Sequence, residues 1–395
     1  MENTIRQSKG IRLYLDEFLF LLSWVAKAFY TQKSGGMQIA DYIFIVSFLC
    51  LIVNNKDELS TLINEKDRYL MIFILCVAFI NVVYFVWYVD VVFLYSTSYF
   101  LFNFFVVIEF RILAKRNGFL NRFFALTFLC LCIQLMIFFT GKGKIYGGER
   151  YMGTFNDPNQ FAFFVMSRFF ILYIINNGSD DDLVRKLIVF FAFVASLFLI
   201  VKAASTGMLL GMGVLVVWWL LDSCVGKHGS TKKIVITIAL IVIVLFIIFG
   251  GDKIIFKTQF ISSRLQQKIS KMFGPNGLDG YIEDRNLGAF FSKPYYVIFG
   301  AGEGGWNRFL DVSAGYGELH STILGLLFYY GIVPYVCLLM WGCKNIKYAK
   351  RSEICVYIAL FVEMLTLINH RQSSLWILLV LPSILFDLRK SKEND

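Results

Sequence analysis

The sequence predicts an all-α integral membrane protein that crosses the bilayer about twelve times, and three observations point there. Of its 395 residues, 57% are hydrophobic and only 17% are charged. A soluble chain carries nearer to about 25% charged residues, so the polar coat for a water-facing surface is missing. The apolar residues fall in runs of the length a helix needs to cross roughly 30 Å of hydrocarbon. With 5 prolines and no short alternating segments, the runs read as helices rather than barrel strands.

The runs place spans at 12–30, 37–54, 68–88, 90–110, 119–140, 158–176, 186–202, 205–223, 233–250, 320–342, 353–370 and 373–388. The first resembles a signal peptide, with Arg6, Lys9 and Arg12 before an apolar run and Ala26-Lys27-Ala28 after it. Asp16 and Glu17 interrupt that run and eleven apolar segments follow, so an uncleaved first helix is expected. A single membrane domain over 1–395, with external loops 141–157 and 251–319, is the simplest parse.

The net charge of +10 does not mark a nucleic-acid surface, because the cations lie in short loops between apolar runs. With the N-terminus inside, twenty-two of the 38 Lys and Arg fall in cytoplasmic segments, and six in short outside loops. That bias predicts both termini in the cytoplasm and the two long loops outside. The eight cysteines avoid the long polar loops and form no CxxC pair, so they read as small hydrophobes.

Candidate chemistry collects in the external loops. Asp157-Pro158 reads as a helix start, with Asp as N-cap and Pro at the first helical position. Beside it, a Gly-rich approach (Gly147-Gly148) delivers Arg150 to a helix N-terminus that favours anions. Ile261, Leu265, Ile269 and Met272 repeat at helical spacing with Arg264, Lys268 and Lys271 on another face, the pattern of an interfacial helix. Gly300-Ala301-Gly302-Glu303-Gly304-Gly305 is glycine-rich enough to cradle a phosphate but follows no strand–helix unit. Of the three histidines, His228 is expected inside, while His320 and His370 lie at the outer ends of spans. Asp180-Asp181-Asp182 is expected on the cytoplasmic face, as a solvated loop.

The segment ERYMGTFNDPNQFA ending at Ala162 resembles the one preceding the middle span of bacterial O-antigen and oligosaccharide repeat-unit polymerases of the Wzy type, and of the related WaaL-type O-antigen ligases. Ser205-Thr206-Gly207 resembles the small-residue start of a later span in that superfamily, and Phe299 to Gly304 its G-x-G turn. His320-Ser321 followed by Gly331 is similar to a histidine motif of the ligases, although Pro334 stands where a small residue is favoured.

The resemblance implies a GT-C-like fold, with short helices in the long periplasmic loop, in the bacterial inner membrane. It also implies an inverting, metal-independent glycosyltransferase without a cofactor, working at the periplasmic face. Donor and acceptor would be undecaprenyl-diphosphate-linked glycans, and membrane lipid and a chain-length regulator protein would be further partners; nucleic acid would not. Arginine's planar fork suits a leaving diphosphate, so Arg150 and Arg285 are the expected clamp, with Arg264 and Arg371 behind them. Asn156, Asp157, Asn159 and Glu303 complete the expected binding set, and His320 is the expected general base. A ligase acting on lipid A–core and a lipid-linked oligosaccharide flippase are the alternatives.

Overall fold

The structure, a computed structural model, describes residues 14–32, 36–54, 65–177, 182–225, 277–312 and 317–394. The ninth expected span, the interfacial stretch with Arg264, His228, Asp180 and Asp181 lie outside the described residues.

Eight helices run from the start to the middle of the chain: α1 Leu15–Ala26, α2 Ile39–Asn54, α3 Arg68–Tyr88, α4 Val92–Ala114, α5 Phe119–Phe139, α6 Pro158–Asn177, α7 Leu183–Ala203 and α8 Thr206–Val225. A small antiparallel hairpin, β1 Lys144–Tyr146 and β2 Arg150–Gly153, fills the loop before α6. Among the described residues of the long loop, three short helices follow: α9 Gly277–Asp284, α10 Gly288–Ser292 and α11 Tyr296–Phe299. The chain ends with α12 Thr322–Tyr330, α13 Ile332–Ile346, α14 Arg351–Thr366 and α15 Ser373–Asn394. The protein is mostly helical, and among the described residues five helices are long and apolar enough to cross a membrane.

Local chemistry sets several helix ends. Asp157 Oδ1 accepts from the backbone amides of Asn159 (2.7 Å) and Gln160 (3.0 Å), the N-cap expected ahead of Pro158. Ser321 caps α12 in the same way, accepting from Leu324 N. α6 is the central helix, buried along most of its length among α5, α7, α8, α14 and α15.

Charged side chains inside an apolar bundle need partners, and the ion pairs among the described residues fall in two layers at opposite ends of the helices. At one end, the buried Asp16 and Glu17 of α1 pair with Arg116 (2.6 Å) and Arg122 at the α4–α5 turn. The two acids that break up the first apolar run are therefore one half of an inter-helix ion-pair set. Beside them Asp67, at the start of α3, pairs with Arg111 at the end of α4 (3.0 Å) and accepts from Trp341 Nε1 of α13 (2.9 Å). Arg111 also donates to Asn345 and to Ser383 of α15. At the opposite end, Lys27 pairs with Asp41, Asn156 donates to Gln32 O, and Tyr84 Oη donates to Gly300 O (2.9 Å). Each helix that joins both layers runs from one to the other.

The tenth expected span, 320–342, is two helices rather than one. α12 stops at Gly331 (φ 75°, ψ 174°), and α13 restarts at Ile332. The carbonyls exposed by the break are taken by the loop that follows α11: Ala301 N donates to Phe328 O (3.0 Å) and Gly302 N to Tyr329 O (2.8 Å). Irregular backbone is tolerated beside hydrocarbon only when buried in protein and satisfied there. Hydropathy alone reads the run as continuous because every residue from Ile323 to Leu339 but Gly325, Tyr329, Tyr330, Gly331, Pro334 and Tyr335 is strongly apolar.

Candidate functional site

The Gly300–Gly305 loop enters the bundle beside α3 and α4 and leaves Glu303 with no exposure to solvent. Its backbone is held from both sides, with Glu303 N donating to Asn81 Oδ1 (3.1 Å) and Ser96 Oγ donating to Glu303 O (2.7 Å). Arg308 Nη2 donates to the carbonyls of Ala301, Gly302 and Gly304, and its guanidinium lies against Tyr84 (4.9 Å) and Phe309 (4.6 Å). The amides of residues 301 to 303 are thus all engaged within the protein, and the carbonyls of Ala301, Gly302 and Gly304 face an arginine. The loop is built to position Glu303; it does not cradle a phosphate with those amides.

Three side chains donate to the Glu303 carboxylate. Tyr330 Oη, at the end of α12, reaches one oxygen at 2.7 Å. The other lies 3.0 Å from His370 Nε2 and 2.6 Å from Arg371 Nη2, with Arg371 Nε at 3.1 Å. Burial by itself raises a carboxyl's pKa, but His370 and Arg371 beside it outweigh that and hold Glu303 well below the usual carboxylate range. Arg371 also donates to Glu318 Oε1 at 2.6 Å. Burial opposes the charge on Arg371, and the two carboxylates reverse this and hold the guanidinium above its ordinary value. The side chain of Arg371 remains about 26% exposed, with Trp306 and Tyr99 each 5.8 Å from the guanidinium.

His370 is fixed more tightly. Its ring stacks on Phe100 at 5.5 Å and 6°, and its carbonyl accepts from Trp376 Nε1 (2.7 Å). Nε2 faces Glu303, while Nδ1 is buried with no hydrogen-bond partner among the described residues. The ring also borders an apolar cavity of about 180 Å³ between α12, α13, α14 and α15, lined among others by Thr322, Tyr357 and Leu375.

Arg285 and His320 adjoin this cluster. Arg285 Nη1 donates to Thr366 O at the end of α14, and its own carbonyl accepts from His320 N (2.9 Å). Asn286 Nδ2 donates to Glu318 O (3.2 Å). Thr322 N and Oγ1 both donate to Leu367 O, which ties the start of α12 to the same turn.

The residues around the hairpin reach this place by another route. Arg150, on β2 and only 8% exposed, donates through Nε to Ala203 O (2.9 Å) and through Nη2 to Asn159 Oδ1 (2.9 Å). Ser205 Oγ donates to the same Asn159 oxygen (3.0 Å). Two residues on, Gly207 packs so closely against Thr366 that a Cβ would lie 2.3 Å from its hydroxyl. Asn156 accepts from Lys144 and donates to Gln32 O, and Asp157 serves as the α6 cap.

Segments that are far apart in sequence therefore meet at one bundle end. Arg285, His320, Glu303 and Arg371 gather around the 366–371 turn, and Arg150, Asn159 and Ser205 connect to it through α8. His370, Glu318, Tyr330 and Asn81 belong to the cluster but were not among the expected site residues. Adjacency to Arg371 is the signal for His370, and a lone amide inside an apolar run is the signal for Asn81. Glu318 and Tyr330 carry no such mark. No protein-family model matches the chain, and no curated protein matches it in sequence.

Proposed function

We propose that this chain is a glycosyltransferase of the bacterial inner membrane that polymerises undecaprenyl-diphosphate-linked oligosaccharide repeat units. On this reading it has about twelve spans in a GT-C-like arrangement, both termini in the cytoplasm, and the Glu303 cluster facing the periplasm. The observation that carries the reading is the meeting of the resemblance-bearing segments, 149–162, 205–207, 299–304 and 320–331, at one end of the bundle. Membrane lipid and a chain-length regulator are the further partners on this reading.

The acceptor hydroxyl oxygen attacks the anomeric carbon of the donor, forming the new glycosidic bond as the bond to the diphosphate breaks. Attack from the opposite side inverts the configuration. The departing diphosphate needs fixed positive charge, which Arg371 and Arg285 bring to the 366–371 turn, with Arg150 the nearest cation on the hairpin side. The hydroxyl proton passes to a histidine. His320 is the residue the resemblance selects. His370 is the second candidate, because Glu303 holds its Nε2 and leaves Nδ1 as the available nitrogen. The cavity at His370 is apolar and suits a length of isoprenoid chain.

Polymer length on a gel, read against protein level in the membrane, separates the two histidines. The alanine variant of the true base should lose about 10²–10⁴ in activity, while the other retains most of it. Arg371→Lys keeps the charge but loses the two-pronged geometry, and should cost on the order of tenfold or more. Wild-type polymer from both histidine variants at equal abundance would refute base catalysis by either. Deletion of the gene should leave a single repeat unit on the acceptor; loss of that unit as well, with lipid-linked polymer accumulating, would identify a ligase.

A flippase is favoured by one observation, the break between α12 and α13 beside a buried acid–base cluster, since transporters often place such sites at interrupted helices. Purified protein in vesicles distinguishes the two. Polymerisation of lipid-linked units without a transmembrane gradient supports the enzyme, and movement of the units without polymerisation supports the transporter.

A further inference from the structure

At the other end of α3, far from Glu303, α3 and α13 enclose an open pocket of about 610 Å³ that no step above uses. Its walls carry Lys66, Arg68, Lys344 and Lys347 together with Tyr69 and Tyr348. Lys344 Nζ lies 4.3 Å from the centre of the Tyr69 ring, and Lys347 and Lys66 lie 4.9 Å and 5.0 Å from that of Tyr348. The aromatic faces hold these ammonium groups at the pocket rather than leaving them free in solvent.

Among the described residues the counter-charges are few. Lys66 is paired with Asp387 (2.7 Å), and Glu65 is the one acid on the pocket wall. Arg68, Lys344 and Lys347 are exposed and form no ion pair among the described residues. Three unpaired cations that converge with one wall carboxylate, Glu65, leave an excess of positive charge that selects an anion, and a guanidinium beside two ammonium groups suits a phosphate.

The helices below the pocket say which kind of phosphate. On α3, Arg68 is followed at helical spacing by Ile72, Leu75 and Phe79, the last two strongly exposed. On α13, Lys347 and Lys344 are preceded at the same spacing by Met340, Val336 and Val333, all exposed. Each helix thus presents a charged head above a bare apolar stripe. A soluble anion would use the cations and leave the stripes uncovered, whereas a phospholipid matches both. We propose that this pocket is a binding site for the phosphate headgroup of an anionic phospholipid, whose acyl chains lie along the α3 and α13 stripes. The site is independent of the glycosyl-transfer reading.

The test is native mass spectrometry of the purified full chain, titrated with cardiolipin, phosphatidylglycerol and phosphatidylcholine of matched chains. Each cation near an anionic headgroup is worth about fivefold in binding. Arg68→Gln/Lys344→Gln/Lys347→Gln should therefore weaken anionic-lipid binding on the order of a hundredfold, with phosphatidylcholine unaffected. Lys115→Gln, outside the pocket, should bind as the wild type does. If the triple variant does not accumulate, Arg68→Gln and Lys347→Gln measured singly should each show about fivefold. Undiminished anionic-lipid binding by the variants, or equal binding of phosphatidylcholine by the wild type, would overturn the proposal. Inorganic phosphate displacing the lipid at equal concentration would assign the pocket to a soluble anion instead.

Discussion

Glu303 illustrates how a single buried carboxylate organises its surroundings. A buried charge costs several kcal/mol unless it is paired and hydrogen-bonded, and Tyr330, His370 and Arg371 supply those partners. Glu303→Gln keeps the shape but leaves Arg371 with Glu318 alone, and should lower stability by about 3 kcal/mol at neutral pH. The pH dependence follows from the sign of the shift. A depressed carboxyl pKa contributes stability above the ordinary glutamate value of 4.5 and loses it as pH falls through the lower folded value. The stability gap between wild type and Glu303→Gln should therefore stay level from neutral pH down to about 5 and close only in stronger acid. Thermal unfolding in detergent across that range measures it; a gap that closes already at about pH 6 would mean that the carboxylate is not held in its charged form. Asp67 allows a second test at the opposite end. Asp67→Ala strands the buried Arg111, and breaking such a pair typically costs about 3–5 kcal/mol, so the variant should accumulate poorly and unfold at lower temperature.

Among the elements, the break between α12 and α13 is the one on which the site depends. The free carbonyls of Phe328 and Tyr329 receive the amides of Ala301 and Gly302, so the interruption of one helix is what docks the loop carrying Glu303. Gly331 has φ 75° and ψ 174°, a region open essentially to glycine, and a Cβ there would lie 2.5 Å from Ile298 O. Gly331→Ala should therefore cost about 1–3 kcal/mol from the backbone conformation alone, with the clash added, and should loosen the Glu303 loop. Gly213→Ala is the comparison, because a Cβ there meets nothing within 4 Å. It lies within α8, where alanine is favoured over glycine by up to about 1 kcal/mol. Equal melting temperatures for the two variants would show that the break does not depend on Gly331.

Over the whole molecule, the two polar layers give each described loop a definite end of the bundle. Asp67, Arg111 and Lys347 belong to one, while Lys144, Asp279 and Glu303 belong to the other. Reporter fusions after Lys347 should read cytoplasmic, and those at Lys144 and Asp279 external. The charge bias in short loops predicts that orientation, and the layering requires that the two sets differ. A cytoplasmic reading at Asp279 would put the Glu303 cluster on the wrong side of the membrane for the proposed polymerisation and would refute that proposal.

The sequence by itself determined the class of the protein and the position of most helices, because a span is a local property of about 20 apolar residues. It also marked the α6 N-cap, since Asp157-Pro158 acts on amides two and three residues away. What it left open depends on partners distant in the chain. Arg168, inside an apolar run, offers no local reason for its place. The fold sets its guanidinium 3.4 Å from the Trp24 ring centre and 4.3 Å from that of Phe164. Glu303 and Arg371 were legible as candidate binding residues, but not as each other's ion pair across 68 positions of sequence. His370 and Tyr330 became part of the site only because a helix stops at Gly331 and a loop fills the gap. Hydropathy reports burial residue by residue and carries no record of which buried polar groups satisfy one another; that choice is made by packing.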